Sequence, residues 1–122
     1  MANLYRQNVM SHFICPRYCG RIKNPTKTLK GENPICGDQI LFQVELDKNQ
    51  TIKNIGWQGA GCAISQAAAS ILAEMVKDNK FDQLGKITSQ IFLKKLGLKL
   101  SPTRQKCALL ALYTLKNEEI NF

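Results

Sequence analysis

Two β-rich stretches separated by a turn constrain the fold of this chain more than any other feature of its sequence. Ile40–Leu46 carries apolar residues at every second position, and Thr51–Gln58 returns after turn-forming residues at 47–50. An antiparallel hairpin brings the chain back to the end at which it started, so the residues flanking the hairpin should lie close together. Ile52 and Ile55 do not share a face of a regular strand, which predicts a β-bulge.

Helical patterns lie on both sides of this hairpin, and residues 17–35 are loop-rich with room for one short strand. Ser101 is a suitable cap for the last helix, which has proline at its first position. The order of elements predicts an α+β fold with an N-terminal helix, a small antiparallel sheet and C-terminal helices packed on one face, in a single domain over residues 1–122. The predicted helices are 3–14, Ala63–Asp78, Phe81–Lys86, Ser89–Leu96 and a last one from Pro102 to about Glu118.

The composition limits the classes of function. No apolar run approaches the roughly 20 residues that span a bilayer, and the polar N-terminus lacks a signal-peptide core, so we expect a cytoplasmic protein with no membrane partner. Thiols stay reduced there, so five cysteines favour metal binding or catalysis over disulfides. The net charge of +8 comes from lysines spread along the chain without a nucleic-acid-binding motif, which favours a solvated basic surface over a nucleic-acid site.

Three cysteines and one aspartate stand where side chains can be exposed and aimed. Cys36 and Asp38 precede the hairpin, Cys62 follows it at an expected helix start, and Cys107 lies in the first turns of the last helix. The hairpin predicts that Cys62 lies near Cys36, and a helix N-terminus favours the thiolate form of Cys62. Three soft ligands and one oxygen suit a tetrahedral metal site, the same thiolates suit sulfur chemistry, and buried structural cysteines are the third interpretation.

Other residues with chemical potential are interpreted more conservatively. Cys15 and Cys19 are either a second metal or redox pair or residues without a function of their own. His12, the only histidine, is expected to be structural or at the surface, and Trp57 is expected to pack in the core.

Three ordered motifs carry a resemblance to a known family: Asn33–Asp38, Gly61–Ser65 and Arg104–Ala108. Over nearly its whole length the chain resembles the NifU/IscU/SufU type of iron–sulfur cluster assembly scaffold. The Gly-Cys-Ala-Ile-Ser turn makes it most similar to the SufU branch, as does Lys106, which stands where the IscU branch has a histidine. The chain lacks the proline-rich chaperone segment of the IscU branch and also the SufU insertion of roughly twenty residues before the last motif.

The resemblance implies a site, a cofactor and partners. The metal ligands would be Cys36, Asp38, Cys62 and Cys107, holding zinc or a transient iron–sulfur cluster. The family receives persulfide sulfur from a pyridoxal-phosphate cysteine desulfurase, and Cys36 would be the acceptor, with Cys107 as second choice. The implied function is zinc-dependent sulfur transfer, in effect a sulfurtransferase. The alternative is a non-enzymatic scaffold that passes clusters to recipient apoproteins or downstream cluster carriers.

Overall fold

The computed structural model describes residues 2–34 and 37–117, with side chains from residue 6 onward. Its sheet has three antiparallel strands in the spatial order β1 (Lys27–Asn33), β2 (Asp38–Leu46) and β3 (Ile52–Ala60). The predicted hairpin is therefore present as β2 and β3. The loop-rich segment supplies β1, so the sheet has one strand more than the hairpin alone.

The predicted bulge is also present and explains how both isoleucines of β3 reach the core. Glu45 pairs with Asn54 but Leu46 pairs with Ile52, so Lys53 is the extra residue. The extra residue restores a common orientation, and Ile52 and Ile55 are both buried. Cross-strand pairs then build the core face of the sheet, with Phe42 opposite Trp57 and Val44 opposite Ile55.

The helices agree with the predicted ones in type and nearly in extent. At the start of the last helix, Ser101 Oγ accepts a hydrogen bond from the Arg104 backbone N–H at 3.3 Å, which confirms the expected cap. The expected end of that helix at Glu118 lies outside the described residues. The helices are α1 (Ala2–Ile14), α2 (Ala63–Val76), a 3₁₀ helix at Phe81–Lys86, α3 (Ser89–Leu96) and α4 (Pro102–Lys116).

The core lies between one face of the sheet and the helices α2 and α4, and α1 packs against α2. This arrangement confirms the predicted α+β class with helices on one face. Close approach of α4 to the sheet depends on Gly31, because a Cβ there would collide with the side chain of Thr114. Within the part of the chain that the structure describes, every helix is too short or too polar to cross a bilayer.

The loop after α1 covers the free edge of β3. Tyr18 O accepts a hydrogen bond from Trp57 N at 3.0 Å, and Gly20 N donates to Trp57 O at 2.7 Å. The Trp57 ring is buried in the core, as predicted, and its indole N–H donates to Arg17 O at 2.8 Å. The open edge of the sheet is therefore β1, on the opposite side.

Candidate metal centre

Asp38 and Cys62 meet where the β2–β3 hairpin opens. Asp38 starts β2 and is 1% exposed, and Cys62 directly precedes α2. The Cys62 backbone N–H donates to Asp38 Oδ1 at 3.0 Å, and Cys62 Sγ lies 3.5 Å from Asp38 Oδ2. Gly61 permits this approach, since it has a φ of 129° and a Cβ there would collide with the Asp38 carboxylate.

Cys107 completes the described group from the opposite side. It lies on the second turn of α4 and is 3% exposed, whereas Cys62 is half-buried. One ligand atom from each of Asp38, Cys62 and Cys107 lies within 4.8 Å of the others. Asp38 and Cys62 are 24 residues apart in the sequence, and Cys62 and Cys107 are 45 apart. They form one cluster because α2 and α4 pack side by side over the sheet.

Ser65, which had no role among the sequence predictions, contacts the side chains of Asp38 and Cys62 and the backbone of Cys107. It is fully buried on the first turn of α2, and its Oγ donates to Asp38 Oδ2 at 2.6 Å. The same oxygen lies 3.2 Å from Cys107 O and 3.5 Å from Cys62 Sγ. A hydroxyl has one proton, and the short contact to the carboxylate assigns it to Asp38. A serine on an apolar helix face, three residues after the cysteine, was the available signal.

The hydrogen bonds around Asp38 keep its carboxyl ionised. Burial raises the pKa of Asp38, but hydrogen bonds from Ser65, the Cys62 backbone N–H and the two cysteine thiols together hold it below its ordinary value. The anion is therefore present at neutral pH without a metal. Once the two thiols lose their protons to become metal ligands, each carboxylate oxygen keeps one hydrogen bond, from Ser65 or from the Cys62 N–H, and has a lone pair for a cation.

The loop between β1 and β2 contains Cys36, which lies outside the described residues. Its described neighbours define the ends of this loop. Asn33 pairs with Asp38, and the Gly37 N–H donates to Asn33 O at 2.8 Å. Gly37 has a φ of 76°, a left-handed conformation that glycine adopts without strain.

The donor set fits a thiophilic metal. Two cysteine sulfurs and a carboxylate oxygen converge, and zinc accepts such ligands in a tetrahedral arrangement. Tetrahedral zinc with bonds of about 2.3 Å to sulfur needs ligand separations of about 3.8 Å. Small side-chain adjustments within the 4.8 Å cluster satisfy that requirement. Ser65 would act as the outer hydrogen-bond partner that orients the carboxylate.

The remaining cysteines lie apart from this group. Cys15 and Cys19 are both exposed free thiols in and beside the loop that covers β3. Among the described residues, Asp38, Cys62 and Cys107 form the one cluster of three or more potential metal ligands. The idea of a second site at Cys15 and Cys19 stays a prediction.

His12 has a structural setting, as expected. It is 2% exposed, and its Nδ1 lies 2.6 Å from the Oγ of Ser70 on α2. The Arg17 backbone N–H donates to the same Oγ at 2.8 Å, and Arg17 Nε lies 3.8 Å from Glu74 Oε2. This group joins α1 and the following loop to α2.

Solved structures share this architecture. A crystal structure of a protein without an assigned function matches with a TM-score of 0.79 and 28% identity, covering 96% of this chain and 97% of the other. A candidate iron–sulfur cluster assembly scaffold for the SUF system from Fervidobacterium islandicum matches with a TM-score of 0.77 and 24% identity, over 92% and 93% of the two chains. The second likeness supports the fold alone.

Characterised relatives are similar to the chain at nearly equal identity. The iron–sulfur cluster assembly scaffold protein IscU of Aquifex aeolicus is 31% identical over 112 residues, covering 91% of this chain and 71% of the relative. The zinc-dependent sulfurtransferase SufU of Bacillus subtilis is 30% identical over 125 residues, covering 88% and 84%. The likeness to the SufU branch in particular therefore stays a prediction.

The family model described as the NifU-like N-terminal domain matches residues 4–121. That range contains all three motifs and every element of the described fold apart from the first two residues of α1. The chain belongs to the NifU-like N-terminal domain family, the IscU/SufU type of iron–sulfur cluster assembly scaffold.

Proposed function

We propose that this protein receives sulfur from a cysteine desulfurase at the Cys/Asp site and contributes it to iron–sulfur cluster assembly. The observation that carries this proposal is the convergence of Asp38, Cys62 and Cys107, with Asp38 ionised and oriented by Ser65. A carboxylate that is ionised before any metal binds, placed beside two cysteine sulfurs, is a donor set that a metal ion can use directly.

Four side chains would hold the metal: Cys36, Asp38, Cys62 and Cys107. Zinc, when bound, supplies charge that keeps cysteine ligands deprotonated at neutral pH. Two features of the chain prepare the ligands before a metal binds. The N-terminus of α2 places Cys62 beside Asp38, and the hydrogen bonds from Ser65 and the Cys62 N–H orient the carboxylate.

Cys36 is the proposed sulfur acceptor. Its thiolate would attack the terminal sulfur of the persulfide on the desulfurase. A new sulfur–sulfur bond then forms on Cys36, the bond in the donor persulfide breaks, and the donor cysteine leaves as a thiolate, with no net change in oxidation state. The burial of Cys107 favours Cys36 for this step, because a partner protein has no direct path to a side chain that is 3% exposed.

A scaffold function is the second candidate, in which an iron–sulfur cluster is assembled on the same ligands and passed to recipient apoproteins or cluster carriers. One observation favours it. The alignment with the SufU relative extends over 125 positions but covers only 88% of this 122-residue chain, so the relative carries residues that this chain lacks.

Metal analysis of the freshly purified protein separates the sulfur-transfer function from the scaffold function. One zinc and no colour favour sulfur transfer, whereas iron, labile sulfide and a brown colour favour the scaffold.

Desulfurase turnover tests the proposal directly. Wild type should stimulate a cysteine desulfurase of the same organism, while Cys36→Ser should not, and mass spectrometry should find one added sulfur on Cys36. Cys15→Ser is the matched control, since its exposed thiol lies outside the ligand group. Full stimulation by Cys36→Ser, or sulfur found only on Cys107, would overturn the acceptor assignment. A wild type that does not stimulate would favour the scaffold. The proposed setting is the cytoplasm, where thiols stay reduced.

A further inference from the structure

The charge of this chain is concentrated next to the metal centre. Residues 83–117 contain seven lysines and arginines and no aspartate or glutamate, whereas residues 1–82 contain ten basic and seven acidic residues. The acid-free stretch includes α3, α4 and the connection between them. The net charge of +8 is therefore mostly a property of one part of the fold.

Four side chains make this charge available at the surface. Lys94, Lys95, Lys99 and Arg104 are all exposed, and within residues 2–34 and 37–117 none of them forms an ion pair. These four residues are called the basic face below. Ile91 is 51% exposed and lies three and four positions before the two lysines of α3, so it shares their side of the helix. An apolar side chain bordered by cations is a suitable anchor for a protein partner.

The two helices run antiparallel, which places the basic face at the level of the site. Ser89 Oγ lies 2.9 Å from Tyr113 Oη, and Lys116 Nζ donates to Ile87 O at 3.1 Å, so the start of α3 lies beside the end of α4. Six residues from Ser89 to Lys95 advance about 9 Å along the axis, as do six residues from Tyr113 back to Cys107. Arg104 lies one turn before Cys107 on the same helix.

We infer that the basic face is a docking surface for an acidic surface of the sulfur-donating partner. The kind of partner rests on the proposed function, whereas the position of the docking surface rests on the distribution of charge. A donor that delivers sulfur to this cluster must bring its own cysteine to the opening beside Cys62, and residues next to that opening are the first to meet it. Opposite charges then steer the encounter and set its orientation.

A protein partner explains these features better than a nucleic acid does. Two of the cations lie on the two-turn helix α3, one on the connection after it and one on the first turn of α4, and no aromatic residue is exposed among them to stack on a base. The exposed Ile91 has an evident role in a protein interface, but a phosphate backbone offers it no partner. The docking surface on the desulfurase should accordingly be rich in aspartate and glutamate around the cysteine that carries its persulfide.

The test compares two triple variants that carry the same change in charge. The first is Lys94→Glu, Lys95→Glu and Lys99→Glu. The control is Lys23→Glu, Lys48→Glu and Lys53→Glu, which are exposed positions away from the site, two of them at or next to the far end of the β2–β3 hairpin. Binding of a cysteine desulfurase of the same organism is measured by its rate constants at about 50 mM and about 500 mM salt.

The first triple should weaken binding about tenfold or more at low salt, mainly through the association rate, and should lose most of the salt dependence. The control should change binding less than about twofold. A Gln version of the first triple, with unchanged metal content, separates a charge effect from weakening of α3 by acidic residues in its last turn.

Three results would overturn the inference. If both triples weaken binding equally, net charge alone acts and no docking face exists. If the first triple binds like wild type, the face is wrong although the proposed function stands. If single-stranded RNA binds wild type more tightly than the desulfurase does and the first triple abolishes that binding, the face belongs to a nucleic acid. A wild type that neither binds the desulfurase nor accepts sulfur would instead refute the proposed function, and the docking surface with it.

Discussion

Two buried serines on α2 stand at the centres of two polar clusters with opposite characters. Ser65 contacts Asp38, Cys62 and Cys107, while Ser70, five residues further along, contacts His12 and Arg17. Both serines are fully buried, and both join a helix to elements distant in sequence. The cluster at Ser65 consists of anionic and potentially anionic groups with no described cation inside it. The cluster at Ser70 contains its own cation.

This difference distinguishes a binding site from a structural joint. At Ser70 the cation has its counter-ion, because Arg17 lies within 4 Å of Glu74, and the Ser70 hydroxyl bonds both His12 and the Arg17 backbone N–H, while Arg17 Nη1 is buried without a hydrogen-bond partner. At Ser65 hydrogen bonds alone stabilise the Asp38 carboxylate, and the ligand atoms lie within 4.8 Å of one another with no described cation among them, an arrangement that can accept a metal ion. Equal burial therefore does not imply equal roles, and the identity of the surrounding groups decides them.

The largest expected effect is a loss of zinc affinity that follows substitutions in the cluster at Ser65 but not in the cluster at Ser70. Cys62→Ser and Cys107→Ser should each lower zinc affinity more than about 100-fold, because loss of a ligand exceeds the 10- to 100-fold typical of an outer-shell partner. Ser70→Ala should leave the affinity unchanged while costing about 1–3 kcal/mol of stability, since His12 Nδ1 and the Arg17 backbone N–H lose their shared hydrogen-bond partner. Competition with a chromogenic chelator measures the affinity. A Ser70→Ala protein that fails to bind zinc would contradict the separation.

Metal removal should also reveal which cluster depends on an ion. The ligands come from the hairpin, the start of α2 and α4, which converge only in the folded chain, so binding adds to folding stability. A chelator should lower the melting temperature of wild type and of Ser70→Ala by similar amounts, and it should have little effect on Cys62→Ser. Identical melting curves with and without chelator would reject a stabilising metal in wild type.

Gly61→Ala tests the close contact beside the carboxylate. A Cβ at this position collides with Asp38, and the φ of 129° is strained for alanine, so the carboxylate must move. Zinc affinity should fall about 100-fold, near the upper end of the outer-shell range. Gly37→Ala is the matched control, because it has a positive φ but no atom within 4 Å of the added Cβ. Equal affinity losses in the two variants would mean that backbone strain, and not the collision, is responsible.

Ser65→Ala should have a smaller effect on the metal than the glycine change. The carboxylate keeps its bond from the Cys62 backbone N–H and loses only the hydroxyl, so zinc affinity should fall about tenfold and zinc should dissociate faster. Ser65→Thr retains the hydroxyl and should restore much of the affinity if the buried site accommodates the methyl group. Stopped-flow release of zinc to a chelator measures the rate. An unchanged release rate in a folded Ser65→Ala protein would remove Ser65 from the site.

The sequence predicts the two clusters unequally. The alternation in β2 predicted the hairpin, and the hairpin explained why Asp38 lies beside Cys62 across 24 residues. The bulge at Lys53 was predictable because two isoleucines had to face one core. Neither buried serine was predictable as a hydrogen-bond centre, because Ser65 and Ser70 acquire partners only when α1, α4 and the sheet pack against α2. Local pattern predicts elements, whereas polar pairing depends on their packing.

The smallest expected effect is a pH dependence that belongs to the cluster at Ser70 alone. Burial and the nearby Arg17 lower the pKa of His12, and Glu74 opposes them only in part. The lowered pKa favours the neutral ring, and in the tautomer with its proton on Nε2 His12 Nδ1 accepts from Ser70 Oγ, which itself accepts from the Arg17 N–H. Protonation of His12 would turn Nδ1 into a donor, so that Nδ1–H and the Arg17 N–H would both face Ser70 Oγ.

The direction of the pH effect follows from this lowered pKa. In the unfolded chain His12 titrates near its ordinary pKa of about 6.5, and in the folded protein it titrates lower. Its stabilising contribution is complete above pH 6.5 and falls as the pH drops toward the folded pKa, because the unfolded chain takes up the proton first. Denaturant midpoints from about pH 8 to about pH 5 should therefore decline more steeply for wild type than for His12→Asn, whose amide oxygen can still accept from Ser70. Carboxylates and metal ligands titrate alike in both proteins and cancel in the difference. Parallel profiles for the two proteins would show that His12 contributes no pH dependence and that its cluster is held by Arg17 alone.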